Sequence, residues 1–167
     1  MRQIATVLIL SIGLVSAGAT GAETTTAAST IDQVQELVTA GKNREARDLL
    51  AGARQQFPDN TQLLELQAQL LFDGERFGEV QALINSSTDP TPLLSKLLTS
   101  SVKQLERLSR SNTIAVIAIQ KKMDIEDFVT AIAIADLALG KFPETEEHFL
   151  TLKGEALYKN NRLEAAE

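Results

Sequence analysis

The chain has no cysteine and no tryptophan among its 167 residues. Without cysteine there are no disulfides, no thiolate chemistry and no cysteine-ligated metals, so packing alone must hold the fold. Without tryptophan, and with one tyrosine and six phenylalanines, the core must be built mainly from aliphatic side chains, which suits close-packed helices. Histidine occurs once, at His148, too few for the multiple imidazoles of a typical catalytic zinc. The phosphate-cradling patterns G-x-x-x-x-G-K-[ST] and G-x-G-x-x-G are missing. So is the nucleophile elbow G-x-S-x-G. Basic charge is also in deficit: 16 Lys and Arg face 22 Asp and Glu, a net charge of -6. That balance argues against nucleic acid and anionic membrane surfaces as partners.

One stretch is apolar and continuous. Ile4 to Val15 follows Arg2 and precedes the small-residue groups Ala17-Gly-Ala19 and Thr20-Gly-Ala22. A basic start, an apolar run too short to span a bilayer and a small-residue cleavage region predict a secretory signal peptide over residues 1–22. The mature chain is then periplasmic or secreted, with no stable membrane insertion. Removing Arg2 with the signal leaves 15 basic against 22 acidic residues, a net charge of -7. Residues 23–29, rich in Thr and Ala, read as a flexible leader. Residues 30–167 make one domain of ordinary size.

Within that domain a period recurs. Pro58 and Pro92 lie 34 residues apart, and so do Ala46 and Val80. Ser29 or Thr30 can cap a first helix, with Asp32 or Gln33 completing a capping box. Ile31, Val34, Leu37 and Val38 then form a stripe at helical spacing. Gly41 breaks it. A second helix carries Ala46, Leu49, Leu50 and Ala53 and stops before Pro58, because the residue before proline avoids the α region. The next unit starts at Asn60 or Thr61, carries Leu64, Ala68 and Leu71, turns at Gly74 and returns through Phe77, Val80, Leu83 and Ile84. Thr91-Pro92 reads as a cap followed by the first helical position.

The period then fails. Ala131 follows Val80 by 51 residues, one and a half periods. The interval holds an additional helix near 93–110, an insertion or a degenerate repeat. A helix over Thr113–Met123 follows. Its segment Thr113–Ile119 has β-branched alternation that would also allow a strand, but helical pattern on both sides favours a buried helix. Asp124 is placed to cap the next helix, with Asp127 at its third position, and Phe142-Pro143 echoes Phe57-Pro58.

These units resemble the tetratricopeptide repeat family. Its pattern of a large residue, a small one, a large one and then an alanine opening the second helix is carried by Val34, Leu37 and Ala46. It recurs as Leu64, Ala68, Leu71 and Val80, as Ala115, Ile119 and Ala131, and as Leu150, Gly154, Leu157 and Ala166. Lys122 stands where the pattern wants an apolar residue, and the usual early Trp is missing. The resemblance implies an all-α, right-handed solenoid of helical hairpins. Each hairpin would bury its apolar face only against its neighbours. Glu167 falls inside what should be a second helix, so the domain is expected to be incomplete at its C-terminus.

The resemblance also implies a concave groove lined by the first helix of each hairpin. Its positions fall on Gln62, Glu65, Gln69 and Phe72; on Thr113, Val116, Gln120 and Met123; and on His148, Thr151, Glu155 and Tyr158. Such a mixture can hold a peptide or helix by hydrogen bonds and a few anchors. Catalytic, cofactor and metal sites are expected to be absent. Glu144 and His148 share a helix face but make only two ligands, and Asp124, Glu126 and Asp127 read as acids at a helix N-terminus. The expected function is a non-catalytic protein-binding scaffold in a bacterial cell envelope. The alternatives are the N-terminal scaffold of a longer export or enzyme protein and a periplasmic chaperone-like holdase.

Overall fold

The computed structural model describes residues 19–164. Eight α-helices follow one another: α1 Ala19–Thr39, α2 Asn43–Gln56, α3 Thr61–Asp73, α4 Phe77–Asn85, α5 Pro92–Leu108, α6 Asn112–Asp124, α7 Phe128–Lys141 and α8 Glu146–Glu164. A short 3-10 turn, Pro143–Thr145, precedes α8. Among the described residues there is no strand, and Thr113–Ile119 lies within α6. The expected additional helix is α5. Its start follows from chemistry: Thr91 Oγ1 accepts from Leu94 N at 3.3 Å, and Pro92, whose missing N–H costs nothing there, takes the first turn. Asn60 caps α3 in the same way, accepting from Leu63 N at 3.0 Å.

Three hairpins use one turn. Gly41, Glu75 and Glu126 have positive φ, at 74°, 58° and 59°. Each is followed by a residue of nearly constant geometry: Lys42 (φ -87°, ψ 55°), Arg76 (φ -86°, ψ 57°) and Asp127 (φ -92°, ψ 63°). The hydrogen bonds repeat as well. Lys42 N, Arg76 N and Asp127 N reach back to Leu37 O, Leu71 O and Lys122 O, while Gly41 N, Glu75 N and Glu126 N bond Val38 O, Phe72 O and Met123 O. This is the paired bonding of a Schellman motif, which satisfies carbonyls left over at a helix end. The helices that return to a proline also end alike. Phe57 (φ -127°, ψ 65°) and Phe142 (φ -130°, ψ 69°) each stop a helix just before a proline.

The core lies between these hairpins. Val34, Ala46, Leu50 and Leu63 join α1, α2 and α3; Ala68, Val80, Ile84 and Leu94 join α3, α4 and α5; Leu105, Ile119, Ala131, Ile134 and Phe149 join α5, α6, α7 and α8. Each fully buried aliphatic or phenylalanine side chain contributes on the order of 1.5–3 kcal/mol. α5 packs against α3, α4, α6 and α7, and α4 also packs directly on α7. Gly78 makes that last contact possible: a Cβ there would lie 2.7 Å from the Thr130 backbone.

Three expectations are corrected. Residues 23–29, read as a flexible leader, belong to α1, which is already helical at Ala19, the first described residue, so Ser29 and Thr30 lie inside the helix rather than capping it. Ala27 sits in the first core cluster at 2% exposure, with residues of α2 and α3, so α1 is packed ahead of the expected cap. Asp124 ends α6 instead of capping α7. The cap is Asp127, whose Oδ1 accepts from Thr130 N at 3.2 Å. Finally, α8 is unbroken as far as Glu164. In the other hairpins the turn is held by the returning helix packed beside it. Of the predicted signal, residues 1–18 lie outside the described residues, and residues 19–22 are backbone of α1.

Candidate partner groove

Three of the predicted groove residues converge. Asn60 fixes the start of α3, which sets Gln62, Glu65 and Gln69 on one face at helical spacing. That face meets Ile31 and Gln35 of α1 and Leu93 at the start of α5, around an open recess of ≈ 370 Å³. Leu93 is 40% exposed, an apolar wall beside three amides. The side chains are partly committed. Glu65 Oε1 accepts from Thr91 Oγ1 at 2.5 Å, which ties α3 to the cap of α5. Gln69 Nε2 donates to Asp73 Oδ1 at 2.8 Å. Ile31, Gln35 and Leu93 were missed in the sequence, because only the position of α5 beside α3 brings them together.

The remaining predicted residues lie elsewhere. Phe72 is turned into the core, edge-to-face with Phe77 at 5.4 Å, so it is not a groove anchor. Val116 and Met123 are half-buried against the C-terminal cluster, while Thr113 and Gln120 are exposed on α6. His148, Thr151, Glu155 and Tyr158 lie on the exposed side of α8. There Thr151 Oγ1 donates to Glu147 O at 2.9 Å, and Glu155 pairs with Lys159 at 2.8 Å. None of the α6 or α8 residues lines the recess on α3. α5 packs against both α3 and α6. Glu144 and His148 are both exposed, and among the described residues no group of three acids or histidines is placed to hold a metal ion.

A buried polar joint was also missed. Lys122 is 4% exposed and Asp127 is fully buried. Lys122 Nζ donates to Glu75 O at 2.5 Å and lies 3.3 Å from Asp127 Oδ2 as an ion pair, without hydrogen-bond alignment to that oxygen. It also sits 5.6 Å from the Phe77 ring centroid. Thr130 Oγ1 accepts from Gly78 N at 3.0 Å. Beside them Arg76 holds Glu79, its Nε donating at 2.8 Å. Burial alone would push the Arg76 guanidinium down, but its hydrogen bond and charge attraction to Glu79, with Asp127 and Glu126 nearby, hold it above its usual value. These contacts join the turn of one hairpin to the turn of the next. The one signal in the sequence was Lys122 at the register of Leu37 and Leu71.

Among the described residues no helix is long and apolar enough to cross a membrane. Compared with known proteins, the chain matches no family model, no curated protein and no solved structure.

Proposed function

We propose that this protein is a non-catalytic scaffold, exported to the cell envelope, whose tetratricopeptide-like hairpins stack as a solenoid and bind a protein partner. The observation that carries the reading is the reuse of one hairpin turn, with matching dihedrals and hydrogen bonds at Gly41, Glu75 and Glu126. Repeated hairpins that bury one face against neighbours leave another face as a preorganised surface. The recess between α1, α3 and α5 is the place to engage an extended segment. Gln35, Gln62 and Gln69 offer donors and acceptors to a peptide main chain, and Ile31 and Leu93 offer apolar support. No cofactor takes part.

The test is crosslinking in intact cells carrying a tagged, exported copy, followed by mass spectrometry of what is attached. One dominant envelope partner, lost with Gln62→Lys and Gln69→Lys but kept with Gln55→Lys on the exposed side of α2, is the expected result. A diffuse set of unrelated clients would replace the scaffold with a holdase. Loss of the partner in the Gln55 variant alone would move the binding face to α2.

A further inference from the structure

α8 presents an apolar face that has no cover within the described residues. Leu150 and Leu157 are 50% and 40% exposed, and Gly154 between them has open space where a Cβ would be. The opposite side of α8 is satisfied: Phe149, Leu152 and Ala156 are buried in the cluster shared with α7.

The register of the hairpins shows what shape fits this face. The positions held by Leu150, Gly154 and Leu157 are held in α3 by Leu64, Ala68 and Leu71, and in α6 by Ala115, Ile119 and Lys122. All six of those residues are buried. What covers them is a helix running back along its neighbour, α4 on α3 and α7 on α6. Each covering helix contributes a compact, fully buried residue, Val80 or Ala131, to the cluster that holds the stripe. On α1 the same place is taken by Ala46 of α2.

Charge adds a direction. Glu146 and Glu147 are exposed in the first turn of α8. A helix lying antiparallel would end over that turn, with its negative dipole end towards two carboxylates. Basic residues in its last turn would relieve both. Within this chain α2 carries Arg54 and α7 carries Lys141 at that point.

We propose that the Leu150–Gly154–Leu157 face docks a single amphipathic helix of a protein partner, antiparallel to α8. The helix sets a small residue over Gly154, aliphatic residues on Leu150 and Leu157, and Lys or Arg beside Glu146 and Glu147. This face is separate from the recess on α3, so the two readings stand or fall independently.

The probe is a synthetic peptide with the sequence of α2, Asn43–Gln56, which has the required pattern and no aromatic residue. The reporter is Tyr158, the single tyrosine of the chain, next to Leu157 and 62% exposed. Adding the peptide to the full chain should change Tyr158 fluorescence saturably, with half-saturation between about 10 µM and 1 mM, the range of weak single-helix contacts. Leu157→Lys and Gly154→Leu, checked for unchanged helicity by circular dichroism, should weaken that at least about tenfold, roughly 1.4 kcal/mol. Gln62→Lys should leave it unchanged. No saturation by about 1 mM, or equal binding by Leu157→Lys, overturns the proposal. A Tyr158 signal that changes with protein concentration alone and vanishes in Leu157→Lys would assign the face to a second copy, which also overturns it.

Discussion

The turn of the first hairpin and the turn of the third share one backbone and end in different chemistry. At the first, Lys42 is exposed and pairs loosely with Glu45 at 3.3 Å, and Leu37 supports the apolar cluster of α1, α2 and α3. At the third, the residues in the corresponding places are Asp127 and Lys122, both buried and facing each other. The backbone is nearly superposable, so the turn does not demand the charges. The neighbourhood does. α5 packs on both α4 and α7, which sit close enough for the turn at Glu75 to lie against α6 and for Gly78 to touch Thr130. An apolar residue at 122 would leave Glu75 O without its donor, so a long cation that reaches it and pairs with the cap of α7 is the physical solution.

The largest effects are expected at the buried charges. Asp127→Ala strands a buried ammonium and removes the cap of α7, and should cost about 3–5 kcal/mol in urea unfolding. Lys42→Ala, at the matching surface position, should stay within about 0.5 kcal/mol. The close contact at Gly78 comes next. Gly78→Ala forces α4 away from Thr130 and should cost about 1–3 kcal/mol. Gly52→Ala, in the interior of α2 with nothing within 4 Å of the added methyl, should gain up to about 1 kcal/mol. Thr91→Ala tests the entry of α5. Losing the cap should cost about 1 kcal/mol of stability, read by thermal melting. It also frees Glu65 from the link that holds the wall of the recess. The smallest effect is at the turns. Glu126→Gly relieves a left-handed residue and should shift stability upward by less than about 1 kcal/mol, whereas Gly41→Ala should lower it by about 1 kcal/mol.

What the sequence could and could not disclose follows the range of the interactions. Helix starts at Asn60 and Thr91, the stop before Pro58 and the additional helix α5 were legible, because caps, prolines and apolar spacing act within a few residues. The hairpin register was legible too, since Ala46, Val80 and Ala131 all proved fully buried. Asp127 was misplaced by three residues as a cap, because Asp124 offers the same local chemistry and only the Schellman turn at Glu126 decides between them. The burial of Ala27 depends on α2 and α3. The site was less legible. Gln62, Glu65 and Gln69, expected from the resemblance, share one recess, but the residues Ile31, Gln35 and Leu93 that line it with them come from other helices. Phe72 was lost to the core by its contact with Phe77. Lys122 was visible as an anomaly; its partner Glu75 O lies 47 residues away in sequence.

The measurement that bears most directly on the account is a double-mutant cycle on Lys122→Ala and Asp127→Ala, read as unfolding free energies in urea. If the two charges form the joint between hairpins, each single change will be far more damaging than its share of the double, with a coupling of about 2–3 kcal/mol. If the two effects add to within about 0.5 kcal/mol, the pair is incidental, and the joint is held by the apolar cluster and the Gly78–Thr130 contact alone.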